Sequence, residues 1–102
     1  MNNDVYAARF AALGHVVRLA IFQLLVKSGH GGMTVGQISE ALEIPASTLS
    51  FHLRELVASE LVTQSRDGRS VNCEANFAAL DQLLKFVKTD CCKGVRLAAF
   101  AR

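Results

Sequence analysis

Two adjacent cysteines near the end of the chain are the residues best suited to chemistry. Cys91 and Cys92 lie in the stretch KFVKTDCCKGVRL, and Cys73 is the only other cysteine among the 102 residues. Neighbouring Cα atoms are about 3.8 Å apart, which is shorter than the roughly 4.4–6.8 Å of an ordinary disulfide. A disulfide within the pair would therefore be strained. We expect the pair to rest as two thiols that can chelate a soft acceptor.

Length and composition describe one domain, residues 1–102, with enough apolar residues for a core of its own. No apolar run approaches the roughly 18 residues of a membrane span, so no membrane partner is expected. The start MNNDVYAARF lacks the features of a signal peptide, which predicts a cytoplasmic protein. An odd number of cysteines argues against a secreted disulfide framework. The net charge of +2 permits a nucleic-acid partner without indicating one.

The first third of the chain has a helical pattern. From Val5 to about Lys27 apolar residues recur at steps of three and four, with Gly14 as a point at which the segment can divide into two helices. The members of this stripe are Phe10, Leu13, Val17, Ile21 and Leu24. The glycines of SGHGG, residues 28–32, then favour a turn.

Two short helices follow the turn. Thr34 and Gln37 have the spacing of a capping box at the start of the first helix. Pro45 suits the first turn of the second helix, where its missing N–H is not needed. That second helix, predicted from Pro45 to Ala58, has one apolar face formed by Leu49, Leu53 and Leu56. Its other faces carry the polar residues Ser47, Thr48, Ser50, His52 and Arg54.

A hairpin and a last helix complete the pattern. Asp67-Gly68 predicts a type I′ turn between two strands, the second of which places Val71, Cys73 and Ala75 on one face. The segment from Asn76 to Cys92 is predicted to be helical, with Gly94 ending the helix just past the cysteine pair. Its apolar stripe is too wide for a solvated helix. We therefore expect a second copy of the chain to cover it, giving a homodimer.

This order of elements is the outline of a winged helix-turn-helix, mainly α-helical with a β-hairpin wing. In that fold the second helix of the pair enters the major groove of DNA. Ser47, Thr48, Ser50 and His52 would face base edges, and Arg54, Arg66 and Arg69 would contact phosphates. The alternative is a small helical domain whose polar face is only solvated. No phosphate-binding loop, nucleophile elbow or paired carboxylates occur, so an enzyme is not expected.

The sequence resembles the ArsR/SmtB family of metalloregulatory repressors over nearly its whole length. ALGHVVRLAIFQLL resembles the leading helix of the family, and ASTLSFHLREL resembles its recognition helix, in which small hydroxyl residues precede a His-Leu pair. SRDGRSVNCEAN is similar to the family's wing, although the wing often has tyrosine where this chain has Cys73. The resemblance implies a dimeric repressor that binds double-stranded operator DNA and releases it when an inducer binds.

The inducer sites known in the family differ in position. One site uses a cysteine pair in the first helix of the helix-turn-helix. The corresponding segment of this chain, TVGQISEAL, contains no cysteine. Another uses Asp and His of the terminal helix to hold zinc, but no histidine follows His52. The remaining candidate ligands are the thiols of Cys73, Cys91 and Cys92. Some arsenic-responsive members have a similar set, so the resemblance implies trivalent arsenic, as arsenite or an organoarsenical, and no zinc site.

The placement of these thiols leaves alternatives open. A helix between Cys73 and Cys91 would hold them roughly 20 Å apart, so an arsenic site using both would bridge two protomers. Cys73 is also in phase with Val71 and Ala75, as a small core residue would be. The cysteines could instead make the protein a redox or sulfide sensor of the same fold. A third hypothesis is a small protein-interaction or redox module that binds no DNA.

Overall fold

The computed structural model describes residues 3–97, and nine elements follow one another along this range. The helices and strands are α1 Asn3–Leu13, α2 Val16–Ser28, a 3-10 turn Gly29–Gly31, β1 Met33–Thr34, α3 Val35–Leu42, α4 Ala46–Ala58, β2 Val62–Asp67, β3 Ser70–Ala75 and α5 Phe77–Val87. The predicted fold class, a winged helix-turn-helix with helices before and after it, is confirmed. Within residues 3–97 no single helix is long and apolar enough to span a membrane; α1 and α2 with the 3-10 turn reach that length only as a pair bent by 95°.

The predicted break at Gly14 is confirmed and positions the rest of the fold. Gly14 donates its backbone N–H to the carbonyl of Ala11, which closes α1. His15 then caps α2, since its Nδ1 accepts a hydrogen bond from the backbone N–H of Val17 at 3.1 Å. The resulting bend lets both helices pack against the same core.

The helix-turn-helix consists of α3 and α4, and the predicted capping box at its start is present. The Thr34 hydroxyl accepts from the Gln37 backbone N–H at 3.1 Å, and the Gln37 side chain accepts from the Thr34 N–H at 2.9 Å. Glu43 turns the chain in the left-handed region, with φ 54°. Pro45 caps α4 rather than forming its first turn, one residue from its predicted place.

The wing is a three-stranded antiparallel sheet with the order β1-β3-β2. Asp67 pairs with Ser70, so the two central residues of the turn are Gly68 and Arg69. Gly68 has φ +63°, whereas neither Asp67 nor Arg69 has positive φ. The predicted type I′ turn at Asp67-Gly68 is therefore wrong: positive φ at the first central position alone is the pattern of a type II′ turn.

The first strand of the sheet was not predicted because it has only two residues. Met33 pairs with Cys73 and Thr34 with Asn72. Gly32 precedes this strand with φ +69°, and a Cβ at that position would collide with the carbonyl oxygen of Cys73. The glycine therefore permits β1 to approach the central strand.

The core lies between the helices and the sheet. Its fully buried members come from every layer, and they are Ile21, Leu25, Ile38, Leu49, Leu56, Leu61, Val62, Cys73 and Leu83. The predicted buried face of α4 is confirmed, since Leu49, Leu53 and Leu56 are at most 2% exposed. Each fully buried aliphatic side chain of this kind contributes about 1.5–3 kcal/mol to folding.

The last helix is shorter than predicted. It ends at Val87, and the cysteine pair lies in the turns that follow it, not in a helix that continues to Gly94. Thr89, Asp90 and the cysteines are poor helix formers, and all of them are exposed, so no burial offsets that preference. The predicted spacing of Cys73 and Cys91 along one continuous helix therefore does not hold.

Candidate nucleic-acid interface and thiol pair

The outer face of α4 is an exposed polar surface of the helix-turn-helix. Ser47, Thr48, Ser50 and Arg54 are all exposed on it, as predicted. The opposite face is fixed in the core, so the helix is held firmly while its polar side chains stay free. Small hydroxyl residues near the N-terminus of such a helix can donate to and accept from base edges in the major groove.

His52 does not belong to this surface. Its side chain is only 7% exposed, and it points back to the bend between α1 and α2. Arg18 Nη1 lies 3.4 Å from His52 Nδ1, and the rings of His15 and His52 are 4.7 Å apart between centroids. Burial, followed by the charges of His15 and Arg18, lowers the pKa of His52. The prediction that His52 faces base edges is therefore wrong, and the residue anchors α4 to α2.

Phe51 was missed by sequence reasoning. It is 52% exposed on α4, where the other large apolar side chains are buried. Ser47 is four residues before it and Arg54 three residues after it, so the three lie on one face of the helix. This helical spacing is visible in the sequence and places Phe51 on the polar face of α4.

The tip of the wing places the two predicted arginines beside one another in the hairpin. Arg66 pairs with Val71 in the ladder, and Arg69 is the second residue of the turn. Both are exposed, and within residues 3–97 neither forms an ion pair. Their guanidinium groups are available to phosphates, which bind Arg through charge-assisted hydrogen bonds.

The two terminal cysteines form an exposed dithiol. The sulfur atoms of Cys91 and Cys92 are 3.3 Å apart, and both thiols are free. The turn that carries them is held by hydrogen bonds from Cys91 N to Lys88 O at 3.0 Å and from Lys93 N to Asp90 O at 3.2 Å. Cys92 has φ 64°, in the left-handed region. Two adjacent, accessible sulfurs can bind one soft acceptor.

Cys73 has the opposite environment. It is 0% exposed in the central strand, and Gln64 donates its side-chain amide to the sulfur at 3.4 Å. Burial raises the pKa of the Cys73 thiol, and the hydrogen bond from Gln64 opposes that shift only in part. Among residues 3–97 no three His, Cys, Asp or Glu side chains converge to hold a metal ion. The three-thiol set is thus not assembled within one protomer, and a site between protomers stays a prediction.

Residues 13–65, which include α2, both helices of the helix-turn-helix and most of β2, match the protein family described as a helix-turn-helix domain. The chain belongs to this helix-turn-helix family. No curated protein matches it significantly in sequence.

Solved structures extend the likeness beyond the family match to the wing and the flanking helices. An ArsR-like transcriptional regulator from Rhodococcus sp. RHA1 is 24% identical, with a TM-score of 0.74 over 84% of this chain and 78% of that one. NolR from Sinorhizobium fredii is 27% identical, with a TM-score of 0.69 over 84% and 83%. The homodimeric winged helix-turn-helix domain of Mb0332 from Mycobacterium bovis is 25% identical, with a TM-score of 0.65 over 86% of each chain.

The fold of this helix-turn-helix protein is thus that of ArsR-like winged-helix regulators of transcription. The relative from Rhodococcus is a transcriptional regulator and the Mb0332 domain binds DNA, so the fold of this chain is that of helix-turn-helix regulators and not that of an enzyme.

The two ends of this helix-turn-helix protein form a second surface. α1 and α5 pack together, with the rings of Tyr6 and Phe86 stacked at 4.0 Å. Beside them Leu84 and Val87 are 51% and 62% exposed. A cavity of about 410 Å³ lies beside the stacked rings and is lined by Tyr6, Gln82, Lys85, Phe86 and Thr89, but not by Leu84 or Val87. Exposed apolar side chains grouped on terminal helices are typical of a protein–protein contact.

Proposed function

We propose that the chain is a homodimeric transcriptional repressor that releases its operator when Cys91 and Cys92 bind a trivalent arsenical. The observation that carries this proposal is the exposed dithiol, with its sulfur atoms 3.3 Å apart, joined to the fold of a DNA-binding regulator.

Binding to DNA is supported by the surface around α4. Ser47, Thr48 and Ser50 are positioned for base edges, and Arg54 together with the wing arginines for the phosphates on either side. Phosphate contacts release counterions, so affinity for duplex DNA should fall steeply with salt concentration. A second protomer would supply a second α4 for the adjacent turn of the major groove.

The homodimer is supported by the unpartnered apolar surface of α1 and α5. Leu84 and Val87 are exposed there, and the structurally similar domain of Mb0332 is a homodimer. A two-fold interface would let each α5 pack against its counterpart, since the same patch then meets itself.

The ligand is supported by the chemistry of the two sulfurs. Each thiol loses its proton to a hydroxide of a trivalent arsenical, two waters leave, and two As–S bonds form without oxidation or reduction. Thiolates without imidazole or carboxylate partners favour such soft acceptors over zinc, which usually takes four ligands. A monosubstituted arsenical, such as methylarsenite, needs only two sulfurs and so needs no contribution from the buried Cys73.

Release of DNA requires that the arsenical bind the DNA-free dimer more tightly than the DNA-bound dimer. The cysteine turn directly follows α5, which is part of the proposed dimer surface. Closing a chelate ring on Cys91 and Cys92 would reshape this turn and so change the separation of the two α4 helices. A coupling of about 1–3 kcal/mol is typical of such switches.

The test is a titration of the protein bound to a labelled duplex selected by the wild-type protein from a random library. Fluorescence anisotropy would follow release by methylarsenite and by arsenite. We expect Cys91→Ser and Cys92→Ser to bind the duplex normally and to ignore both compounds. Cys73→Ala is the matched control and should still respond to methylarsenite. Release from the double variant at Cys91 and Cys92 would contradict the proposal.

Oxidation of the same thiols is the second candidate, because both are free and exposed, and a strained disulfide between them would be easily reduced again, as a reversible switch requires. In that case the neighbouring thiols, or one of them with Cys73, would be linked by an oxidant. A peroxide titration of the same complex separates the two candidates. Release by peroxide without release by either arsenical would favour the redox sensor.

A further inference from the structure

We infer that Phe51 is a specificity-determining residue whose ring contacts the 5-methyl group of a thymine in the major groove. The inference deepens the proposed function, since it rests on α4 being the helix that enters the groove. It concerns which sequence is read and is independent of the inducer.

The placement of Phe51 on α4 is the first observation. Leu49, Leu53 and Leu56 are at most 2% exposed, whereas Phe51 is 52% exposed. The ring therefore contributes little to the core and lies on the outer face of the helix, between Ser47 and Arg54. A large apolar side chain in the middle of a polar surface that binds a partner is a candidate contact for an apolar group of that partner.

The support of the ring is the second observation. The Phe51 ring meets the His52 ring edge to face, with centroids 5.2 Å apart and an angle of 71° between the planes. His52 is itself buried and contacts Arg18 of α2. The ring is thus backed by a fixed neighbour, and less conformational entropy is lost when it contacts DNA.

The chemistry of the groove selects the target. Phenylalanine neither donates nor accepts a hydrogen bond, so it gains nothing from the polar base edges. The methyl group of thymine is the apolar group that normal bases present in the major groove, and Phe is one of the side chains that contact it. Ser47 and Arg54, on the same face, remain available for hydrogen bonds to adjacent groups.

The test removes only that methyl group. A duplex is selected from a random library with the wild-type protein, and each thymine is then replaced singly by deoxyuridine, which pairs in the same way. We expect the affinity of the wild-type protein to fall about fourfold at one thymine of each half-site, the loss for one methyl-sized group taken from an apolar contact. Phe51→Ala should bind the thymine and deoxyuridine duplexes equally, and Phe51→Leu should keep part of the preference. Val26→Ala changes an exposed apolar residue outside α4 and should keep all of it.

The outcomes are distinct from those that test the repressor. If the wild-type protein selects no duplex, the proposed function fails and this inference fails with it. If the protein binds its duplex but tolerates deoxyuridine at every position, only the inference is overturned. The same holds if Phe51→Ala keeps the thymine preference. If Phe51→Ala folds poorly, Phe51→Leu replaces it in the comparison, and a thymine preference as large as that of the wild-type protein would overturn the inference.

Discussion

The central strand of the wing and the turn after α5 contain the same side chain in opposite environments. Cys73 is 0% exposed, accepts a hydrogen bond from Gln64, and is paired on both sides in the sheet. Cys91 and Cys92 are exposed. Among the side chains of residues 3–97, the two sulfur atoms are in hydrogen-bond contact only with each other. Residue type alone does not define a thiol site here, because accessibility separates the core residue Cys73 from the candidate ligands Cys91 and Cys92.

The difference arises from the elements that hold the cysteines. β3 is the middle strand, so its inward side chains at Cys73 and Ala75 face the core, and β1 covers its free edge. The turn after α5 begins where the helix leaves the core and contains the poor helix formers Thr89, Asp90, Cys91 and Cys92. The strand is fixed by packing on both sides, whereas the turn is held by local hydrogen bonds and an exposed ion pair between Lys93 and Asp90.

Thiol reactivity should show the largest effect of this contrast. Cys91 and Cys92 should react with a thiol reagent such as dithionitrobenzoate at least about a thousandfold faster than Cys73, because a core residue reacts only when the fold opens. In the folded state burial raises the pKa of Cys73 and so keeps the nucleophilic thiolate scarce, and reaction without opening does not compete. The measurement is a time course of thiol release at pH 7.5 without denaturant.

The double variant with serine at Cys91 and Cys92 serves as the control for that time course. It should lose the fast phase and keep only the slow reaction of Cys73. A fast phase of three thiols in the wild-type protein would contradict the contrast between the two regions.

The free energy of unfolding should show the same contrast between the cysteines, but less strongly than the rate of thiol reaction does. Cys73→Ser replaces a fully buried sulfur with a hydroxyl, which Gln64 can still hydrogen-bond but which costs more to remove from water, and we expect a loss of about 1–3 kcal/mol in the free energy of unfolding. Cys91→Ser should change it by no more than about 0.5 kcal/mol, as exposed substitutions usually do. Urea denaturation at one protein concentration measures both, since a dimer's stability depends on concentration. Equal losses for the two variants would show that Cys73 is not in the core.

Sequence reasoning reached most of the fold because its signals were local. The capping box at Thr34, the break at Gly14 and the alternation through Cys73 each depend on neighbouring residues, and all three are present. The type of turn at Gly68 depends on the pairing register of Asp67 with Ser70, which the dipeptide alone does not define. The two-residue strand β1 exists only because β3 is beside it.

The site was harder to predict than the fold because burial is a property of packing. His52 follows the polar residues of α4 in sequence, but the bend at Gly14 brings His15 and Arg18 against it and so it is buried. Phe51 shows the converse, since its residue type favours the core but its position on α4 leaves it 52% exposed. The end of α5 at Val87 combines a local signal, the poor helix formers Thr89 and Asp90, with the loss of core contacts, which depends on packing.

The histidines show the same contrast between a buried and an exposed side chain. The dependence of stability on pH that follows from it should be the smallest of the three predicted effects. Burial, then His15 and then Arg18 lower the pKa of His52 below its ordinary 6.5, and Glu55 opposes them only partly. Between the lowered pKa and about 6.5 the unfolded chain binds a proton that the folded chain does not, so stability rises with pH in that window. The contribution is complete above pH 6.5 and is lost as the pH falls through the folded pKa.

We expect the urea midpoint of the wild-type protein to drop between pH 7.5 and pH 5.5, and His52→Gln to flatten that drop because glutamine does not titrate. His30, in contrast, is exposed and lies 3.3 Å from Glu74. A His52→Gln protein with the full wild-type drop would mean that another group titrates, and that the link between α2 and α4 does not depend on a neutral His52.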